Sequence, residues 1–240
     1  MAPAAHAAGF VFGGGMNNKK RVMAFVDGFN LYHAIDDLDI DPKTHRPRRQ
    51  KQHLKWLDLR AMASAFTPPS REEVIGVHYF SAFATWIPEA YQRHLDYVRA
   101  LESTGVNVVM GNFKKKYRQC NKCNATWIGH EEKESDVSLA LYLLDMAYQD
   151  AYDKAFLVTA DTDLVPAIKM VRRHFPQKEV IALIPKNRFQ NAMELRQACN
   201  GASRIEETHL ERNLFSASIA LADGTTVARP AKYQPPKQRT

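Results

Sequence analysis

Apolar and polar positions fall into blocks that read as alternating strands and helices. Residues 21–26, Arg-Val-Met-Ala-Phe-Val, form an apolar run ending on Asp27-Gly28, the pattern of a buried strand that delivers an acid to a turn. Residues 29–37 have helical character until Pro42 and Pro47 break it. A helix is expected over 54–66, stopped by Pro68-Pro69. β-branched and aromatic residues predict a strand over 73–80. Pro88 fits the first turn of a helix carrying Tyr91, Leu95, Val98 and Leu101 at helical spacing; Gly105 ends it, and 106–110 is a third strand. Strand, helix, strand, helix, strand is the rhythm of a parallel sheet.

Residues 112–130 interrupt that rhythm and read as a basic insertion containing Cys120-x-x-Cys123. From Glu134 an amphipathic helix is expected to pack through Val137, Leu141, Leu144 and Tyr148, with Asp136 in its first turn. A strand over 155–160, a helix from Thr162 or Asp163 to His174, a strand over 180–184, a helix over 191–198 and a short edge strand over 204–206 complete the pattern. The fold class is α/β, a central, mostly parallel sheet flanked by helices. The chain divides into a flexible leader (1–20), one domain (21–215) and a basic, proline-containing tail (216–240), mostly extended or disordered.

The 240 residues, 45% of them hydrophobic and a quarter charged, suit one substantial soluble domain. No run approaches the roughly 18 apolar residues of a membrane helix, and the alanine- and glycine-rich start lacks the flanks of a secretory signal. Three cysteines, an odd count, point to a reducing cytoplasm. The net charge of +7 is clustered. Lys43, Arg46, Arg48, Arg49, Lys51 and Lys55 crowd one loop; Lys114, Lys115, Lys116 and Arg118 form a second patch; Lys186 and Arg188 form a rim; and Arg229, Lys232, Lys237 and Arg239 stud the tail. Together these are the footprint of a polyanion binder, although each alone also reads as a solvated loop.

The acids sharpen this picture. The run Phe156 to Ala160 ends in Asp161-Thr162-Asp163, two carboxylates close enough to repel unless a cation lies between them. With Asp27 they belong to the carboxyl edge of a parallel sheet, where ligands bind. Asp136, strictly in a first turn, belongs to the opposite edge unless the preceding insertion repositions its helix. Simpler roles compete: Asp163 or Asn30 as helix caps, Asp136 as an acid near a helix dipole, Lys133 on a solvated face.

Val26-Asp27-Gly28-Phe29-Asn30, then Lys133-Glu-Ser-Asp136-Val137, then Thr159-Ala-Asp161-Thr-Asp163-Leu164-Val-Pro166 resemble, in order and spacing, the NYN domain family of PIN-like nucleases, over about 21–206. The CxxC before the second motif also resembles a feature of some members. The resemblance implies a Rossmann-like PIN fold and metal-dependent ribonuclease activity, with Asp27, Asp136, Asp161 and Asp163 as metal-binding acids and Asn30 and Lys133 as accompanying polar positions.

Chemistry leads the same way. A phosphodiester needs its charge neutralised and its attacking water deprotonated, which Mg²⁺ or Mn²⁺ on oxygen ligands achieves. Asp27, Asp161 and Asp163 are assigned to the metal, and Asp136 either ligates it or orients the water. Asn30 positions a carboxylate or phosphate, and Lys133 partners one. Hydrolysis of this kind leaves 5′-phosphate and 3′-hydroxyl ends. Cys120 and Cys123 supply two of the four ligands of a structural Zn²⁺, with His130, Cys199 or a second subunit as completions; reduced thiols in a basic hairpin are the alternative. Phe113, Tyr117 and Trp127 are candidates to stack on unpaired bases, and His78, His94 and His174 read as ordinary structural or surface histidines.

The expected function is a metal-dependent endoribonuclease acting on single-stranded or loop RNA, with a homodimer, which would juxtapose basic rims, as the candidate assembly. The alternatives are a non-catalytic RNA-binding adaptor and a nuclease for single-stranded DNA. Phospho-acceptor and haloacid-dehalogenase-like folds carry their paired acids after the first strand, whereas here the pair comes late.

Overall fold

A computed structural model describes residues 19–41 and 43–236. The leader up to residue 18, and the tail cations Lys237 and Arg239, lie outside the described residues. The first strand, β1 (Lys20–Asp27), is buried on both faces, so its side chains divide between two cores. Val22, Ala24 and Val26 face one; Met23 and Phe25 face the other. That two-sided burial is why the run is continuously apolar and not alternating. Asp27 caps α1 (Gly28–Leu38), its carboxylate accepting the Asn30 N–H.

The helix expected over 54–66 is split. A 3₁₀ turn (Gln52–Lys55) precedes α2 (Leu59–Ala65), because Asp58 starts the helix afresh by accepting the N–H groups of Arg60 and Ala61. Leu57 bridges Leu214, and Trp56 donates its indole N–H to Ser216 O at 2.9 Å. Their apolarity serves contact with the C-terminal segment. β2 (Glu72–Ala82) and α3 (Pro88–Ser103) follow, and Gly105, at φ 73°, turns the chain toward the next strand.

β3 (Asn107–Gln119) is far longer than expected. It pairs in parallel with β2 as far as Gly111, runs past the sheet, and returns as antiparallel β4 (Thr126–Lys133). Residues 112–130 are therefore a hairpin continuing the sheet edge. This detour resolves the position of Asp136. Lys133 lies opposite Asn112, level with the carboxyl end of β2 where β3 runs on past it, so α4 (Ser135–Tyr148) starts at the carboxyl edge and not the opposite one. Glu134 makes the corner at φ 79°, a strained conformation for a residue with a side chain.

α4 packs through Leu139, Leu143 and Ala147, not the stripe read from the sequence; Val137 and Leu141 are 64% and 61% exposed, Tyr148 also faces outward, and Leu144 is half-buried. The helix is apolar on more than one side, and the sheet takes the narrower stripe. β5 (Lys154–Val158), α5 (Val165–His174), β6 (Glu179–Pro185), α6 (Met193–Ala198), β7 (Gly201–Ile205) and α7 (Glu207–Arg212) complete the domain.

The seven-stranded sheet has the order β4-β3-β2-β1-β5-β6-β7, parallel except for β3–β4. One core holds side chains of α1, α2, α3 and α7; the other holds those of α4, α5 and α6. The chain goes from β1 to β2 on one side and later to β5 on the other, so the carboxyl ends of β1 and β5 flank the crevice where such sheets bind ligands.

Residues after 215 are more ordered than expected. β8 (Ser218–Ala220) and β9 (Thr226–Ala228) form a small hairpin, a 3₁₀ turn (Ala231–Tyr233) follows, and Val227 and Tyr233 are buried in the first core. No helix among the described residues is long and apolar enough to cross a membrane.

Candidate active site

Asp27 stands at the end of β1, only 4% exposed. Its Oδ1 accepts the Asn30 N–H at 2.9 Å and its Oδ2 accepts the Thr159 hydroxyl at 2.9 Å. Thr159 Oγ1 also accepts the Asp161 N–H at 3.0 Å. Asn30 Oδ1 accepts the Ala160 N–H at 3.1 Å. Two of these hydrogen bonds, Thr159 to Asp27 and Ala160 to Asn30, tie the start of α1 to the segment after β5, fixing the two acidic motifs to each other. Asp161 in turn caps the turn that follows by accepting the Asp163 N–H at 2.9 Å. The caps are Asp27 and Asp161, not Asn30 or Asp163; the Asp163 side chain is exposed.

The electrostatics show how these acids face one another. Burial pushes the Asp27 carboxyl up to about 7, against the two hydrogen bonds it accepts, and Asp136 and Asp161 raise it further. Asp136 is raised to about 6, first by burial, then by Asp161, Glu132 and Asp163. Among the described residues neither Asp27 nor Asp136 forms an ion pair. Glu132 Oε1 and Ser135 Oγ, on either side of the β4–α4 corner, are buried without a hydrogen-bond partner in the protein. Mutually repelling carboxylates and orphaned oxygens make a set chemically suited to a hard divalent cation. Among the described residues, no three His, Cys, Asp or Glu side chains are drawn together closely enough to enclose a metal ion.

The other expected residues are distributed as follows. Lys133 pairs with Glu131 at 3.0 Å, and Lys116 pairs with the same glutamate at 3.1 Å. Arg48 pairs with Asp41, Lys51 with Glu207, Lys186 with Glu206 and Arg188 with Asp37. Arg46, Arg49, Lys114, Lys115 and Arg118 have no ion pair among the described residues. Their charge is free for a polyanion. Tyr117, 85% exposed, lies opposite Ile128 in the hairpin, and the half-exposed Trp127 lies opposite Arg118 on the other face.

Cys120 and Cys123 sit at the tip of the β3–β4 hairpin, where the N–H groups of Cys123 and Lys122 hold the Cys120 thiol below its usual pKa. Neither expected completion joins them. His130 pairs with Lys115, four residues along β4 from Thr126, roughly 13 Å at strand rise. Cys199 is buried in the core beneath α5 and α6.

Thr159, Ser135 and Glu132 escaped the sequence reading. Thr159 opens the third motif as its first residue, and that position was the available signal. For Glu132 and Ser135 only adjacency to Lys133 and Asp136 pointed the way.

Comparison with known proteins places this geometry. Over 63 residues the chain is 41% identical to 6-hydroxy-3-succinoylpyridine 3-monooxygenase of Pseudomonas putida, a match covering 26% of this chain and 20% of that enzyme. The chain thus spans about a fifth of the length of that curated relative. A crystal structure of a protein of unknown function from Vibrio parahaemolyticus superimposes with a TM-score of 0.50 at 18% identity, covering 79% of this chain and 94% of that one, a likeness of fold. The NYN domain profile matches residues 21–206, and with that match across most of its length the chain belongs to the NYN domain family, whose fold is that of the PIN-like nucleases.

Proposed function

We propose that the protein is a metal-dependent endoribonuclease whose acids at the carboxyl ends of β1 and β5 hold Mg²⁺ or Mn²⁺ and hydrolyse RNA phosphodiester bonds. The observation that carries this reading is the facing of Asp27, Asp136 and Asp161 at the switch point of the sheet, where Asp161 raises the proton affinity of both others and Asp136 that of Asp27, with no ion pair to any of them among the described residues. A bound divalent ion would supply the missing positive charge, offsetting that of the phosphodiester and acidifying a water.

The chain's own residues do the rest. Asp27, Asp161 and Asp163 are the proposed ligands, with Thr159 and Asn30 holding the first two in place. The half-buried Asp136, with a pKa near 6, is suited either to join them or to take a proton from the attacking water. Arg46, Arg49, Lys114, Lys115 and Arg118 steer the RNA backbone by charge, and Lys186 and Arg188 contribute when a phosphate displaces their acidic partners.

One observation favours a second reading, a non-catalytic RNA-binding adaptor: both Asp27 oxygens are already engaged within the protein. Cleavage of end-labelled single-stranded RNA, hairpin RNA and single-stranded DNA, with Mg²⁺, Mn²⁺ or chelator, decides between them. Metal-dependent RNA cleavage that disappears in Asp161→Asn while RNA binding survives supports the nuclease. Binding without cleavage under every metal supports the adaptor, and preferential cleavage of DNA makes that the substrate.

A further inference from the structure

Beside the acids lies a cavity of about 350 Å³ bounded by α1, β2, α3, the β3–β4 hairpin and the C-terminal 3₁₀ turn. Its walls are aromatic: Phe29, Tyr32, Tyr79, Trp86, Phe113 and Tyr233. Trp86 stacks flat on His130, ring centroids 3.6 Å apart and planes 5° from parallel. Phe113 meets Trp86 edge-on at 4.8 Å and Phe29 at 6.2 Å. Gly28, the residue after Asp27, lines the cavity, so it begins one residue from the acid cluster.

Two features make it more than an apolar hollow. Arg93 Nε and His130 Nε2, on lining residues, are buried without a hydrogen-bond partner in the protein, a cost that a ligand would relieve. The surroundings also carry excess positive charge. Lys55 and Arg93 line the cavity, and Lys232, next to the lining Tyr233, feels the charges of Arg93, Lys55 and Arg49, with Asp36 the acid among them; Lys55 is bound to Asp36 at 2.6 Å. Flat aromatic walls, orphaned donors and surplus cations fit a planar ring carrying an anionic group.

We propose that this cavity seats one unstacked nucleotide of the RNA strand, next to the scissile phosphate, its base against the aromatic walls with its edge toward Arg93 and its phosphate toward Lys232. The identification of the strand as RNA rests on the nuclease reading above. The volume lies at the low end of ligand pockets and takes one nucleotide, so bases held in a duplex are excluded. Arg93 can only donate, so a base presenting a carbonyl oxygen, uracil, cytosine or guanine, is favoured over adenine.

The test is equilibrium binding in chelator, where nothing is cut, using fluorescein-labelled oligouridylate, oligoadenylate and an abasic strand of equal length on the full chain, Trp86→Ala and Arg93→Gln, each first shown to keep the wild-type melting temperature. Oligouridylate is expected to bind wild type roughly tenfold more tightly than the abasic strand, the scale of one stacked base. Trp86→Ala is expected to remove most of that advantage, and Arg93→Gln to remove the preference for uracil over adenine, while the abasic strand binds all three proteins alike. Equal wild-type affinity for all three strands overturns the proposal. So does saturable binding of free pyridine-3-carboxylate that oligouridylate fails to displace, which would make the cavity a small-molecule site. The two readings separate cleanly: base-dependent binding without cleavage under any metal keeps the nucleotide seat and removes the nuclease.

Discussion

The Thr159 hydroxyl donates to Asp27 Oδ2 at 2.9 Å, so the acid ending β1 is held by the segment after β5, 132 residues later. Thr159→Val removes that donor and leaves a buried carboxylate oxygen without its partner. The expected cost is about 1–3 kcal/mol, read as a lower urea midpoint, with Thr159→Ser close to wild type. Equal stability of the valine and serine variants would mean that the hydroxyl does not support Asp27.

The same acid sets a pH dependence. Asp27 titrates at about 7 in the folded protein and near 3.9 when unfolded. Between those values the folded state binds more protons, so Asp27 makes stability fall as pH rises. Buried His94, held down to about 4, works in the opposite direction, since below about 6.5 the unfolded state binds its proton first. His94 is common to both proteins in a comparison with Asp27→Asn. In chelator, wild type is therefore expected to lose stability relative to Asp27→Asn from pH 4 to 7, and the difference should level off above. A flat difference in melting temperature would contradict the buried, proton-retaining state of Asp27.

Adding Mn²⁺ should reverse that penalty. At a hundredfold excess over its dissociation constant, a ligand specific for the folded state stabilises by about 2.7 kcal/mol. Thermal melts are expected to shift upward with Mn²⁺ in wild type, to return with chelator, and to shift far less in Asp161→Asn. An equal shift in both proteins would locate cation binding elsewhere.

Gly28 has no room for a side chain. A Cβ there would lie 2.3 Å from Tyr79 Cε2 and 2.5 Å from its Cζ. Alanine ordinarily favours a helix over glycine by about 1 kcal/mol, yet overpacking costs about 1–3 kcal/mol. Gly28→Ala is expected to be destabilising in chemical denaturation; a stabilised variant would show that the Tyr79 ring yields freely.

α4 offers a test of packing. Leu139 is fully buried and Leu141 is 61% exposed. Leu139→Ala is expected to cost about 2–5 kcal/mol, and Leu141→Ala to stay within about 0.5 kcal/mol of wild type. The reverse order would restore the stripe expected from the sequence.

That stripe illustrates which signals the chain carries openly. The strands ending in Asp27 and before Asp161 are legible because burial on both faces makes them continuously apolar, and an acid straight after such a run is conspicuous. In α4, Val137, Leu139, Leu141, Leu143 and Leu144 allow more than one helical stripe, so periodicity cannot choose among them. Lys114, Lys115, Lys116 and Arg118 hid the length of β3, since charged residues on an extended hairpin look like loop. Without the length of that hairpin, the edge to which Asp136 belongs stayed open in the sequence. Thr159 acts through its contact with Asp27, distant in sequence, and the cavity joins Tyr79, Trp86 and Tyr233 from separate segments; neither has a local pattern to read.

The central claim, hydrolysis of RNA through water at the acidic cluster, is tested most directly by mapping the ends of the products. Single-stranded RNA cut in Mn²⁺ by wild type is expected to carry 5′-phosphates and 3′-hydroxyls, with no products from Asp161→Asn. Products ending in 2′,3′-cyclic phosphate, or cutting that persists in chelator or in Asp161→Asn, would contradict it, because the attacking oxygen or the catalytic groups would then lie elsewhere.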